Sequence, residues 1–268
     1  MPTIQTSQDG GVRTLTLNQP ERRNAFNDAV IAELTQAFEE AQAEPSVRVL
    51  VLAANGRAFC AGADLNWMRK MAGYSHAENL VDAAALARML HTLYRCAKPT
   101  IAKVQGDVYA GGMGLVAACD MAVAVDSAKF CLSEVKLGLV PATISPYVLR
   151  AMGARNAHRY FLTAEVFDAQ AALRMGLVHE VLGAEALDAK VQQLASALLQ
   201  CGPQATLACK RLLQTVAERE IDAPLIDYTV EQIASVRASA EGREGVAAFL
   251  ERRPSAWLDG SGSVDAPA

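Results

Sequence analysis

A run rich in valine and leucine, Val47 to Ala53, passes through Asn55-Gly56 into the small-residue segment Arg57-Ala-Phe-Cys-Ala-Gly-Ala-Asp-Leu65, and helix-forming sequence follows. The same order returns at Thr100 to Val104, which leads into Gln105-Gly-Asp-Val-Tyr-Ala-Gly-Gly-Met-Gly-Leu115. A short apolar strand without alternation is a strand covered on both faces, and helices are the usual cover. Repetition of strand, small residues and helix therefore predicts an α/β fold built of similar strand-strand-helix turns without a strict period.

Local signals fill in the pattern. Val12 to Leu17 alternates and stops at Asn18-Gln19-Pro20, a strand and a turn. Asn27 can cap a helix to about Ala43 that places Val30, Leu34, Ala37, Phe38 and Ala41 on one face. Helices are expected from about Asp64, over His76 to Cys96 until Lys98-Pro99, and over Gly111 to Ala118. Strands are expected at Met121 to Val125, up to Cys131, and near Leu177 to Val181. Beyond residue 185 only helices are read: Ala186 to Gln200, Gln204 to Ala217, Ala223 to Ala238 and Arg243 to Glu251. The expected organisation is a core over residues 1–200 and a helical C-terminal part over 201–268, with a disordered tail from about 259.

Composition narrows the function classes. Apolar residues make up 51% of the 268, enough for a sizeable core, and the net charge of −4 offers no field for nucleic acid or an anionic membrane. Any polyanionic ligand must find local cations. The six cysteines form no C-x-x-C pair and lie near no histidine at zinc-ligand spacing. They read as reduced thiols packed as small hydrophobes, with no metal site, which suggests a reducing compartment. The first residues carry neither a basic start nor an apolar stretch, and Leu115 to Val125 is too short to span a bilayer, so a cytoplasmic protein with no membrane partner is expected.

Three segments can carry chemistry. In 57–65 and 105–115 a strand gives way to small residues and then a helix, whose first amides have no internal partner and can point at an oxygen. Each alone is equally a tight strand-to-helix connection. The G-x-G-x-x-G spacing of a dinucleotide site is absent from the second. In Phe130-Cys-Leu-Ser-Glu-Val-Lys-Leu-Gly-Leu-Val-Pro141, Glu134 follows a short strand, which makes it either a candidate acid–base or a surface glutamate.

The ordered combination of C-A-G-A-D-L, G-G-M-G and S-E-V-K-L-G-L-V-P resembles the crotonase superfamily, the enoyl-CoA hydratase/isomerase family, over about Val12 to Trp257. Leu17-Asn-Gln-Pro-Glu-Arg-Arg-Asn-Ala-Phe26 and Ala-Phe-Leu-Glu-Arg-Arg-Pro254 are similar to that family's ends. The resemblance implies a spiral of strand-strand-helix turns with a C-terminal helical part used for trimerisation, in a homotrimer or homohexamer. By motif position, the backbone amides of Ala63 and Gly111 would form an oxyanion hole, worth roughly 3–4 kcal/mol per donor. Arg22, Arg23, Ala25, Ala61, Asp64 and Leu65 would cradle the nucleotide of an acyl-CoA thioester, which is substrate; no separate cofactor is implied. Arg252 and Arg253 could add charge from a neighbouring subunit.

Glu134 matches one of two glutamates that the best-known hydratases carry. The other position is Gly114. A single carboxylate would either activate water and return its proton to the α-carbon, or shuttle a proton within the substrate as an isomerase does. Asp107 and Tyr109 are the nearest other acids. Gly114 implies room beside the reacting carbon for a branched or carboxylated acyl group. The runs 111–122 and 130–148 are similar to bacterial 3-methylglutaconyl-CoA hydratases of leucine breakdown. Trp67, Met68 and Met71 either line the acyl pocket or belong to the core. His76, His91, His158 and His179 match no catalytic position.

Overall fold

The computed structural model describes residues 2–258. Ten strands are present among them: β1 (Ile4–Asp9), β2 (Val12–Leu17), β3 (Val49–Ala54), β4 (Ala58–Cys60), β5 (Thr100–Val104), β6 (Asp107–Tyr109), β7 (Met121–Val125), β8 (Lys129–Cys131), β9 (Phe167–Asp168) and β10 (Glu180–Leu182). The helices are α1 (Asp28–Ala43), α2 (Leu65–Met71), α3 (His76–Tyr94), α4 (Gly111–Ala118), α5 (Ser145–Met152), α6 (Ala154–Thr163), α7 (Ala169–Arg174), α8 (Leu187–Gln200), α9 (Pro203–Val216), α10 (Ala223–Ala238) and α11 (Ala240–Glu251).

The strands form two sheets, ordered β1-β2-β3-β5-β7-β10 and β4-β6-β8-β9. From β3 to β8 the chain lays one strand in the large sheet and the next in the small one, three times over: β3 then β4, β5 then β6, β7 then β8. Within each sheet these successive strands pair in parallel. The result is the series of similar strand-strand-helix turns that the repeated sequence unit predicted, wound into the spiral that the family resemblance implied. It explains why β3 is buried at every residue: both faces are covered. One core runs through the spiral and contains Leu34 and Phe38 of α1, Leu50 and Leu52 of β3, Leu90 and Leu93 of α3, Val123 of β7 and Val191 of α8.

Local chemistry accounts for the element ends. The Asn27 carboxamide accepts the Val30 N–H at 2.9 Å and starts α1. A capping box of Ser75 and Glu78 starts α3. The edge strand β1, the short strands β4, β6 and β9, and the helices α5 to α7 have no counterpart among the elements expected from the sequence. The small sheet's strands are too short for periodicity to register, and α5 to α7 are at most ten residues long. Helices α9 to α11 stand outside the core, and only Lys210, Leu225 and Ala248 are buried in them. Lys210 ties α9 to the large sheet: its Nζ donates to Asp120 Oδ2 at 2.6 Å and to the Lys98 carbonyl at 3.1 Å. The tail from 259 lies outside the described residues.

Candidate active site

The segment after β4 is held against residues 22–26 by main-chain bonds. Ala61 N–H donates to the Arg23 carbonyl at 3.0 Å, Phe26 N–H to the Gly62 carbonyl at 2.7 Å, and Asp64 N–H to the Phe26 carbonyl at 2.7 Å. The last two are the two halves of a parallel bridge between Phe26 and Ala63. Residue 26 supplies both of its groups to positions 62 and 64, so the amide of Ala63, between them, is turned to the opposite side. Gly62 precedes it at φ +88°, a conformation that favours glycine. Asn24 anchors the turn from beneath. It is buried, its carbonyl oxygen accepts Gln19 N–H, and its amide nitrogen donates to the carbonyls of Asn55 and Ala58.

The second segment leaves β6 at Tyr109 and enters α4 at Gly111. The N–H of Ala110 donates to the Cys131 carbonyl at 2.9 Å, and its own carbonyl accepts Met113 N–H at 2.9 Å. Gly111 is the first residue of α4, where an amide has no partner within the helix. A methyl group at Gly111 would lie 2.9 Å from the Phe26 ring, so the ring backs one amide-bearing segment while its backbone holds the other. A methyl at Gly62 would lie 2.9 Å from Ala110 Cβ, so the two segments touch.

The third segment follows β8, which pairs with β6 in the register Tyr109 to Cys131. After buried Leu132 the chain reaches Glu134, the first residue of a 3-10 turn that ends at Gly138. Glu134 Oε2 is buried and has no hydrogen-bond partner within the protein. Burial pushes its carboxyl above the usual carboxylate range, opposed by its own backbone N–H. Thus 62–63, 110–111 and 131 are joined by direct contacts, and Glu134, three residues beyond Cys131 in the chain, carries a buried carboxylate oxygen without a partner. Free main-chain donors beside such a group can stabilise an oxyanion while the carboxylate takes up and returns a proton.

The residues expected to cradle a nucleotide gather at one edge of this arrangement through the bonds between 22–26 and 61–64. Arg22 is half exposed, with Nη1 3.9 Å from Asp64 Oδ2. Ala25 is buried and Leu65 is exposed. The Asp64 carboxylate also has a structural duty: it caps α2 by accepting the N–H groups of Asn66 and Trp67.

One expectation needs correction, and other side chains named from the sequence have partners of their own. The room expected at Gly114 is filled. A Cβ there would lie 2.9 Å from Ile144 Cβ and 3.3 Å from Leu90 Cδ2, and would collide outright with Ile144 Cγ2, all of it buried. Asp107 Oδ1 accepts the N–H of Lys129 at 3.0 Å, which aligns β8 with β6. Trp67 is buried in the core with its indole N–H on Asp82, whereas Met71 packs only partly against it. Arg253 is engaged within its own chain by Glu244 and Glu251. Among the described residues no group of three or more His, Cys, Asp or Glu side chains could hold a metal ion. No helix among them is long and apolar enough to cross a membrane. Phe26, Ala110 and Ile144 were not singled out from sequence, because each acts through a contact with a segment far along the chain.

Residues 7–260 match the Enoyl-CoA hydratase/isomerase family. The solved structure of an enoyl-CoA hydratase from Shewanella pealeana is 45% identical, superposes with a TM-score of 0.93, and the match covers 96% of each chain. The 2,3-dehydroadipyl-CoA hydratase of Escherichia coli strain K12 is 34% identical over 255 residues, 94% of this chain and 97% of the relative. The 1,2-epoxyphenylacetyl-CoA isomerase of the same strain is 32% identical over 259 residues, again 94% and 97%. With the spiral fold, the paired amide-bearing segments and the full-length matches in agreement, the chain belongs to the enoyl-CoA hydratase/isomerase family, the crotonase superfamily.

Proposed function

We propose that the chain is a hydro-lyase that adds water across the α,β double bond of an acyl-CoA thioester, with 3-methylglutaconyl-CoA of leucine breakdown as its substrate. The observation that carries this reading is the buried, unpartnered Oε2 of Glu134, on a segment bonded to the residue before Gly111. In this reading the amides of Ala63 and Gly111 receive the thioester oxygen. As the water oxygen bonds to the β-carbon, Glu134 takes a proton from that water. Electron density moves to the thioester oxygen, and the same carboxyl then delivers the proton to the α-carbon. Its raised pKa suits the first step, because the carboxylate is a stronger base toward the water proton, and the more basic enolate α-carbon then takes that proton back from the carboxyl. Arg22 and Arg23 meet the phosphates of the CoA moiety.

Support for the acyl group comes from the similarity of 111–122 and 130–148 to 3-methylglutaconyl-CoA hydratases, and not from Gly114, whose side-chain space Ile144 occupies. The exposed Ile226, Val230 and Ile233 lie on one face of α10, and Phe249 is exposed on α11, which supports assembly as a homotrimer or homohexamer. Six cysteines free of disulfides support a reducing cytoplasm. The similarity to an isomerase favours a second reading, in which Glu134 moves a proton between two substrate carbons.

The test is a panel of enoyl-CoA esters, crotonyl-CoA and 3-methylglutaconyl-CoA included, run in oxygen-18 water. Hydration places solvent oxygen in the product, whereas isomerisation leaves the product unlabelled and refutes the hydratase reading. Fastest turnover on a straight-chain ester would remove 3-methylglutaconyl-CoA as the substrate.

A further inference from the structure

Ala110 holds a backbone conformation that costs an alanine and costs glycine almost nothing. Its φ is +46° and its ψ −119°. Other non-glycine residues at positive φ, such as Arg23, Ala164 and Arg252, have ψ between 32° and 42°, the ordinary left-handed well. A ψ of −119° lies outside that well, at the first central position of a type II′ turn, where glycine is the rule. The strain is held from both sides, by Ala110 N–H on the Cys131 carbonyl and by Met113 N–H on the Ala110 carbonyl. The dihedral ψ of residue 110 orients the plane of the next peptide and therefore aims the Gly111 N–H.

The methyl group faces Gly62. A Cβ at Gly62 would come within 2.9 Å of Ala110 Cβ, so only one of these facing positions can carry a side chain, and the methyl of Ala110 is the one present. Each is the residue before a proposed donor: Gly62 before Ala63, Ala110 before Gly111. The methyl is thus the spacer between two segments whose next amides must sit at a defined separation.

We propose that Ala110 is a positioning residue: its methyl, held against Gly62 at the cost of backbone strain, sets the distance and direction between the Ala63 and Gly111 amides. This rests on the proposed oxyanion role of those amides. The strain is kept because glycine would relax the turn and let the 110–111 peptide rock.

The test compares wild type, Ala110→Gly and Ala110→Ser, using whichever enoyl-CoA of the panel wild type hydrates fastest. For Ala110→Gly we expect an unchanged or higher Tm, KM within about twofold and kcat lowered about tenfold, a fraction of the loss that follows removal of a whole donor. Ala110→Ser keeps the β-carbon and should restore kcat to within about threefold of wild type. A readout independent of turnover is the infrared C=O stretch of the bound thioester in a Glu134→Gln background: Ala110→Gly should move it back toward the frequency of the free ester. Wild-type kcat in Ala110→Gly, an unmoved carbonyl stretch, or a marked fall in Tm would each overturn the inference. The controls separate it from the reading beneath it. No turnover by wild type on any ester removes both, whereas turnover that Glu134→Gln abolishes and Ala110→Gly leaves intact removes this inference alone.

Discussion

A methyl group added at Gly114 meets a collision that only Ile144 can relieve. The new Cβ would lie 2.9 Å from Ile144 Cβ and overlap its Cγ2, with Leu90 Cδ2 at 3.3 Å on the other side, and Ile144 and Leu90 are fully buried. Overpacking of this kind costs about 3 kcal/mol, offset by about 1 kcal/mol from better helix propensity, so Gly114→Ala should destabilise by about 2 kcal/mol. Ile144→Ala alone leaves a hole and should cost about 3 kcal/mol. In the double variant the overlapping Cγ2 is gone and the added methyl fills part of the hole, so the total should be about 3 kcal/mol and not the additive 5. The coupling of about 2 kcal/mol is read from urea-denaturation midpoints at constant slope. Additivity within about 0.5 kcal/mol, or a Gly114→Ala protein as stable as wild type, would refute the contact and restore the room beside Gly114. The same geometry means that Gly114→Glu, which adds an unpaired carboxylate to that collision, should yield poorly folded protein and not a second catalytic acid unless Ile144 is trimmed as well.

Glu134→Gln should lower kcat by about 10²–10⁴ while CoA-ester binding persists, measured by steady-state kinetics and calorimetric titration. With its folded-state pKa raised by burial, Glu134 loses its ionised form as pH falls through a value above the usual carboxylate range, and kcat/KM should show an acid limb there that a different base would not give. Folding favours the protonated form, so the stability Glu134 contributes is full below the unfolded pKa and lost as pH rises through the folded one; Glu134→Gln should therefore stabilise at neutral pH and not at low pH, by denaturation across pH. Lys210→Met breaks the buried tie from α9 to Asp120 and the Lys98 carbonyl, and should cost about 2–3 kcal/mol because Asp120 is only partly buried, lowering Tm by about 4–10 °C in a calorimetric scan. Asp64→Ala should cost about 1 kcal/mol by uncapping α2, which Asp64→Asn should largely restore; a rise in KM in both variants would instead mark the carboxylate as a direct contact of the nucleotide.

Much of the fold was legible because its signals are local. Asn27 and the periodic face behind it specify α1 within a few residues of chain, and continuous apolar runs such as Val49–Ala54 specify strands covered on both sides. The three chemical segments were legible only in combination, since small neighbours and a strand-to-helix change are written in adjacent residues but serve a tight connection equally well, and their ordered succession is what resembles the family. The residue order therefore determined the α/β class and the strand-to-helix changes at 57–65 and 105–115, whereas the assignment of the Ala63 and Gly111 amides and of Glu134 came from the family resemblance and is what the proposed experiments test. Tertiary structure decided what depends on contacts between distant positions. Gly114 reads as space until Ile144, thirty residues later, is seen to fill it. Ala110 reads as one more small residue until its ψ and its neighbour Gly62 are known. Asp64 reads only as a ligand contact until its carboxylate is found to cap α2 as well. Packing density leaves no vacancy beside a buried glycine, and which side chain enters it is settled by the fold that brings the two segments together, which no local propensity encodes.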